Sequence, residues 1–551
     1  MNREKRDRET SWRLAQAAGA VFTGILPLLL SGADPLRELP SMARGLDPLL
    51  QCGILQWVLR HPPLHASAWQ APFFWPAPWS LAYMDSLAGQ ALLVAPLPGM
   101  GSWPALAYNL ALIGTLSLAF LAAVRLAREL GLPRAAAWMA ALVYAAGPHA
   151  AGHYHHLNQL PTPWLPLALW GLLLLARGRW DGLLPLVLSL LLQPLWGFYN
   201  LASLWMAVLL AILLLLPSWR GGRGLALLVV IAGGLGWAWF SGAPYREAAD
   251  VVAGFSRGPG SVGPYAGRPF DLLHPPSVHL LPWPRPLPGR PVLYAGWIWP
   301  WLAAAGFWTV LGMERSRERR RLWIALAVAC GMGLLLAFGR HMPLPGLGEV
   351  PLPLAWLQDR FWVLQSLRAP TRLFLPGMLF LGLAGARAWT WWTIELPERR
   401  RIPRSVGLVG GAIFALALLD LMPGSLETVR AHPDREERAL LKVLAHDRES
   451  GAWMAFPTPC REQEERSLDA RCMLWAAWID RPVAGGSSGF VPMEVRRLRR
   501  SCCRGPGEFC IADLRRMGVS EIVLPRAYAD GPPVGVLRVW EGSRWQVWRL
   551  R

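Results

Sequence analysis

Four histidines fall within eight residues of this chain, at positions 149, 153, 155 and 156, and Asn158 and Gln159 follow directly. His149 and His153 are one helical turn apart and His153 and His156 nearly so, a spacing at which two rings can share a metal. Protonated, the same rings suit a lipid phosphate; neutral, they suit interfacial hydrogen bonding with no catalytic part. The residues alone leave all three readings open, and His156 is the ring singled out. Two carboxylates, Asp47 and Asp85, stand in one stretch near the N-terminus. A carboxylate at a lipid–water boundary can take a proton from an attacking hydroxyl or hold a divalent ion on a phosphate leaving group. For Asp47, capping the helix that follows is the plainer reading. Arg368 and Arg372, in Arg368-Ala369-Pro370-Thr371-Arg372, suit a phosphate or pyrophosphate, or ordinary anionic lipid. Gln193, Tyr199 and Asn200 interrupt a long apolar tract, and buried amides there need a polar cavity or a neighbouring helix.

The elements that must position these groups are written in the hydropathy. The 551 residues are 53 % hydrophobic and only 17 % charged, too little charge to solvate a globule of this length. Apolar runs recur at 14–30, 105–124, 135–150, 163–176, 182–198, 200–216, 224–240, 295–312, 322–338, 371–389 and 406–421, which predicts about 11 transmembrane helices. The formal charge of +19 sits largely in arginine clusters beside these runs. Arg125, Arg128 and Arg134; Arg177 and Arg179; Arg220 and Arg223; Arg315 to Arg321; and Arg399 to Arg404 occupy alternate gaps, as cytoplasmic loops do. With two lysines and no aromatic–basic recognition pattern, nucleic acid is not an expected partner. The first run follows a basic start without a small-x-small cleavage site and reads as a retained anchor. The N-terminus is placed inside and the C-terminal region outside.

Residues 1–13 form a cytoplasmic basic N-terminus and 14–424 the transmembrane domain, with outer loops 33–102, 241–294 and 339–367. These loops are rich in Pro and Trp, as in Pro72 to Trp79 and Leu281-Pro282-Trp283-Pro284, and suit the headgroup layer. From 425 to 551, short alternating runs at 452–457, 521–525 and 534–540 and helical patterns at 436–445 and 511–517 predict a small extracytoplasmic α/β domain. Five of the seven cysteines lie there, at 460, 472, 502, 503 and 510, spaced for disulfides or inert thiols rather than zinc.

Several strings in consistent order carry a resemblance. They are Gly45-Leu46-Asp47-Pro48-Leu49; Phe74-Trp75-Pro76-Ala77-Pro78 with Leu81-Ala82-Tyr83-Met84-Asp85; His156-Leu157-Asn158-Gln159-Leu160 leading to Trp164-Leu165-Pro166-Leu167; Arg368 to Arg372; and Val483 to Pro492. With them the chain resembles uncharacterised bacterial multi-pass proteins related to the glycosyltransferase-C superfamily. The resemblance implies a mainly α polytopic, glycosyltransferase-C-like membrane fold with a C-terminal α/β domain. It implies an enzyme that moves a sugar from a polyprenyl-phosphate donor to a lipid, glycan or protein acceptor on the outer face, by inverting single displacement. Asp47 would be the catalytic base or metal-contacting acid and Asp85 a supporting acid. His156 would be a cavity residue, and Arg368 and Arg372 would hold the donor phosphate; His153, Gln159 and Tyr199, polar groups read from the sequence, join them as expected substrate-binding residues. A divalent metal, Mg or Mn, is the implied cofactor, with no organic cofactor; the partners are the polyprenyl-linked sugar and membrane lipid. Leu46 stands where relatives often have Gly, and Ser86 where His is common. A lipid-linked glycan flippase and a non-catalytic cell-envelope assembly protein are the alternatives. Scarce intramembrane carboxylates argue against a proton-coupled transporter.

Overall fold

The structure, a computed structural model, describes residues 3–41, 46–219, 221–252, 262–275, 280, 293–344, 348–361, 364–365, 367–396, 404–446, 451–456, 467–487, 490–503, 505–526 and 535–550. Gly45, Arg220, Leu281 to Pro284, Arg399 to Arg401, Cys460, Ser488 and Gly489 lie outside the described residues.

The expectation of about 11 transmembrane helices is overturned. Among the described residues, six helices are long and apolar enough to cross a membrane: Glu9–Ser31, Pro104–Glu129, Leu157–Ala176, Gly222–Val251, Arg317–Ala337 and Pro370–Glu395. The other apolar runs fold as Arg134–Ala146, Leu183–Trp196, Phe198–Leu214, Trp299–Met313 and Arg404–Leu419, of 13, 14, 17, 15 and 16 residues. At 1.5 Å per residue these reach about 20–26 Å, short of a hydrocarbon core of roughly 30 Å. Backbone breaks cut them. Gly147, extended and followed by Pro148, ends the first, and Gly197 separates the second from the third. Hydropathy averaged along the chain registers the apolar side chains but not these one-residue breaks. Sidedness that rested on an odd count of spans therefore has no such footing.

The chain forms two compact units. The first comprises 1–31, 112–240 and 258–426. Its helices approach through small residues. A Cβ on Gly306 would lie 1.8 Å from the Ala384 carbonyl, and one on Gly382 would lie 2.8 Å from that of Ala140. Backbones this close gain dispersion contacts that apolar burial cannot supply in lipid.

The second unit joins 32–111 and 241–257 to 427–551. Its sheet has the order Ala452–Ala455, Val519–Pro525, Trp545–Leu550, Val536–Glu541, the first pair parallel and the others antiparallel. Beside it, Glu38–Ser41 pairs antiparallel with Glu427–Arg430. The helix Leu46–Arg60 packs on Ser467–Ile479 so closely that a Cβ on Gly53 would stand 3.0 Å from the Leu474 backbone. Arg60 then donates to the carbonyls of Ala477 (3.0 Å) and Trp478 (2.8 Å), satisfying acceptors left open at the end of that helix. The stretch 33–102 is thus built into the same globule as the C-terminal strands. Cys502 and Cys510 are disulfide-bonded, and Cys472 is a buried free thiol.

Candidate functional site

In the first unit the imidazoles ride on a segment that the flanking helices cannot continue. The helix Arg134–Ala146 stops at Gly147, where a Cβ would meet the Val143 carbonyl at 2.2 Å. One short turn, Pro148–Ala151, follows, and the 3-10 turn Leu157–Gln159 opens the membrane-length segment Leu157–Ala176, whose α-helical part begins at Trp164. His149 and His153 are buried; His155 and His156 are half-buried. The His149 and His153 rings stand 4.5 Å apart, and His153 Nδ1 bonds the His149 carbonyl at 2.7 Å. The closest rings are the sequence neighbours His155 and His156, at 4.2 Å, against 6.3 Å for His153 and His156. Helical spacing did not suggest the neighbour pair, because residues 152–155 are turn rather than helix.

The polar groups that break the apolar tract pin this segment. Asn200 Nδ2 donates to the carbonyls of Asn158 (3.2 Å) and Leu160 (3.0 Å). Thr162 Oγ1 donates to Gln193 Oε1 at 2.8 Å, and the Tyr144 hydroxyl donates to the Thr162 carbonyl at 2.8 Å. Gly197, at φ +154°, brings its own Cα against the Asn158 carbonyl, which a Cβ would approach to 2.7 Å. Gly197→Ala is therefore expected to lower stability by about 1–3 kcal/mol, read as a lowered Tm of the purified protein. An unchanged Tm would mean that Asn158 is not held by this contact.

The arginine pair faces the same polar segment. The Tyr199 hydroxyl accepts from the backbone N–H of Arg368 (2.8 Å) and of Ala369 (3.0 Å), fixing the entrance of the helix that starts at Pro370. The Arg372 guanidinium lies 5.1 Å from the Tyr199 ring centroid and that of Arg368 4.4 Å from the Tyr265 ring. Both arginines are half-buried, and neither forms a salt bridge among the described residues. Gln159, 1 % exposed, has no hydrogen-bond partner among the described residues for either amide atom. Such an amide is costly unless something else supplies a donor and an acceptor.

The electrostatics match. Burial, partly offset by a hydrogen bond to the Gln159 backbone and reinforced by the Arg372 charge, lowers His149 to about 4. Burial also lowers His153, with His149 and Arg372 adding to it, and lowers His156, with Arg372 and Arg368 adding to it. The rings are neutral at pH 7. Between pH 6.5 and about 4 an unfolded His149 binds a proton that the folded one refuses, so stability rises with pH across that window and is lost as pH falls. A drop of order 3 kcal/mol is expected from His149 alone. Thermal unfolding between pH 7 and 4.5 should show it, and His149→Gln should flatten the profile; identical slopes would contradict the assignment.

In the second unit Asp47 stands, half-buried, in the first turn of Leu46–Arg60, within electrostatic reach of Tyr108. Asp85 follows the 3-10 turn Ser80–Tyr83 and lies within reach of Tyr245, whose hydroxyl donates to the Met84 carbonyl at 3.3 Å. The two acids thus face different tyrosines. His153, His156, Gln159, Tyr199, Arg368 and Arg372 belong to the first unit, and Asp47 and Asp85 to the second. The chain carries donors fit for a divalent cation: the half-buried imidazoles of His155 and His156 in the first unit and the half-buried Asp47 carboxylate in the second. Mixed imidazole and carboxylate donors suit Mn and similar divalent ions. His155 is the donor that sequence spacing did not select.

No family model matches the chain, and no characterised protein matches it by sequence. Among solved structures it is similar to the archaeal oligosaccharyltransferase AglB from Archaeoglobus fulgidus in complex with an inhibitory peptide and a dolichol-phosphate. The TM-score is 0.49 and the identity 13 %, over 94 % of this chain and 70 % of that one. The oligosaccharyltransferase of the same organism in its apo form gives 0.48 and 14 %, over 93 % and 69 %. ArnT from Cupriavidus metallidurans in the apo state gives 0.46 and 13 %, over 98 % of each chain.

Proposed function

We propose that the chain is a glycosyltransferase that takes its sugar from a polyprenyl-phosphate donor. The observation that carries the reading is the pair Arg368 and Arg372. These two guanidinium groups are held on tyrosine faces, without a salt bridge among the described residues, beside buried imidazoles and the orphaned amide of Gln159. Two planar cations and a donor–acceptor amide, in a helical membrane protein, suit a lipid-linked phosphate and the hydroxyls next to it.

In this reading Arg368 and Arg372 bind the donor phosphate and stabilise the charge that grows on it as the glycosidic bond breaks. His153 and His156, kept neutral, donate hydrogen bonds without repelling the guanidinium pair; Gln159 meets a sugar hydroxyl, and Tyr199 holds the Arg368 backbone in place. Asp47 takes the proton from the acceptor hydroxyl as its oxygen attacks the anomeric carbon, and polyprenyl phosphate leaves with the bonding electrons. Attack from the side opposite the phosphate inverts the centre. Asp85 supports that step. A divalent cation, Mg or Mn, would supply charge neutralisation on the leaving phosphate, with His155 and His156 as the first unit's donors to it. The acceptor is a lipid, glycan or protein.

We place the second unit, and with it the chemistry, on the outer face of a bacterial cytoplasmic membrane. The Cys502–Cys510 disulfide supports this, since such bonds persist in oxidising compartments. Consumption of a polyprenyl-phosphate sugar by the purified protein, with a membrane extract as acceptor, tests the reading. Release of polyprenyl phosphate is expected, lost with EDTA and restored by Mn or Mg. No release from donors carrying hexoses, pentoses or aminosugars would contradict it.

A further inference from the structure

A second pocket, in the unit that contains residues 32–111 and 427–551, has no part in the reaction above. It is a cavity of about 340 Å³ whose lining includes Trp57, Gln70, Trp75, Asp480 and Pro482. We propose that it binds a sugar ring of a glycan that is not the reacting one. The proposal stands apart from the transferase reading.

Three features define its chemistry. Both indole edges are anchored, Trp57 Nε1 donating to the Ala68 carbonyl and Trp75 Nε1 to the Met517 carbonyl, both at 2.8 Å; Trp57 is buried and stacked on His61, so Trp75 is the ring open to a ligand. Trp75 is 39 % exposed, an unusual state for a ring so anchored. The Asp480 carboxylate is exposed and has no partner among the described residues. Gln70 Oε1 accepts from the Trp79 N–H at 2.8 Å, which fixes the amide and leaves Nε2 as a donor.

Sugar rings present C–H faces that stack on indole and neighbouring hydroxyls that need one acceptor and one donor. An indole face with a lone carboxylate would also suit a quaternary ammonium. The N–H donors of Gln70 have no counterpart on such a cation, so the donor and acceptor together favour hydroxyls. The volume lies at the small end of ligand pockets, enough for a mono- or disaccharide unit.

The lining residue Asp480 and two residues that adjoin the lining in sequence, Phe74 and Trp79, are also held in costly backbone. Phe74, Trp79 and Asp480 have φ of +59°, +57° and +56°, three of the four non-glycine residues with positive φ among those described. For a bulky aromatic this conformation is an outlier, and such outliers gather at ligand clamps. Strand-like bonds hold it: Phe74 N–H to the Gly485 carbonyl (2.9 Å), Trp75 N–H to that of Val483 (3.0 Å) and Val483 N–H to that of Pro72 (3.1 Å). The pocket is preformed, so binding pays little ordering cost.

Isothermal titration of the full chain in lipid nanodiscs, with maltotriose, chitotriose, mannotriose and tetramethylammonium as probes, tests this. At least one of the sugars is expected to bind saturably. Asp480→Asn, which tolerates the left-handed backbone, and Gln70→Glu, which keeps the acceptor for Trp79 but removes the donor, should each weaken it about tenfold or more, with Tm unchanged. Asp47→Asn should bind as wild type does, so loss of the transferase reading would leave this result standing. Binding by none of the three sugars, wild-type affinity in both pocket variants, or Asp480-dependent binding of tetramethylammonium alone would overturn the proposal.

Discussion

Alanine at both Arg368 and Arg372 is expected to weaken binding of polyprenyl phosphate by about two orders of magnitude or more. A charged hydrogen bond contributes about 1.5–3 kcal/mol, and each 1.4 kcal/mol is a factor of ten. Folding should survive, because neither side chain forms a salt bridge among the described residues and the Tyr199 bonds go to the backbone at 368 and 369. Lysine at both positions keeps the charge but loses the planar fork, and should recover only part of the affinity. Titration of a short-chain polyprenyl phosphate into the purified protein measures both. Wild-type affinity in the alanine variant would remove the anion site on which the proposed function is built.

The second large effect belongs to Asp47. Replacement by Asn keeps shape and removes the base, and proton transfer by a positioned carboxylate is worth about 10²–10⁴ in rate. The expected result is a fall of that size in kcat with donor KM little changed, since in the proposed mechanism Asp47 acts on the acceptor. In a null strain, wild type should restore the surface glycan and Asp47→Asn should not, at matched abundance. Asn caps a helix as well as Asp. Equal rescue would therefore return Asp47 to the capping reading that its place in the first turn of Leu46–Arg60 also allows.

Some of this architecture was legible and some was not, for physical reasons. Side-chain periodicity is local, so the helices Arg435–His446 and Glu508–Arg516 and the strands around 452, 521 and 536 follow from it. The His149–Gln159 island stood out because polar side chains between apolar runs must be accounted for somewhere. The number of membrane-length helices was not legible, since single residues such as Gly197 and the Gly147-Pro148 pair end helices without lowering hydropathy. Nor was the pairing of Glu38–Ser41 with Glu427–Arg430, because register between strands so distant in sequence is set by packing rather than by composition. Tyr199 reads as one polar residue in an apolar tract; that its hydroxyl collects two backbone N–H groups at 368 and 369 emerges only in three dimensions.

In the proposed mechanism the imidazole segment and the arginine pair together receive the phosphate of a polyprenyl lipid. Photolabelling with a polyprenyl phosphate that carries a diazirine next to the phosphate, followed by peptide mapping, tests this most directly. Labels are expected within 147–160 and 364–376 and should be displaced by unlabelled polyprenyl phosphate. Labels confined to the arginine cluster at 315–321, or spread evenly over the apolar helices and not displaceable, would contradict it.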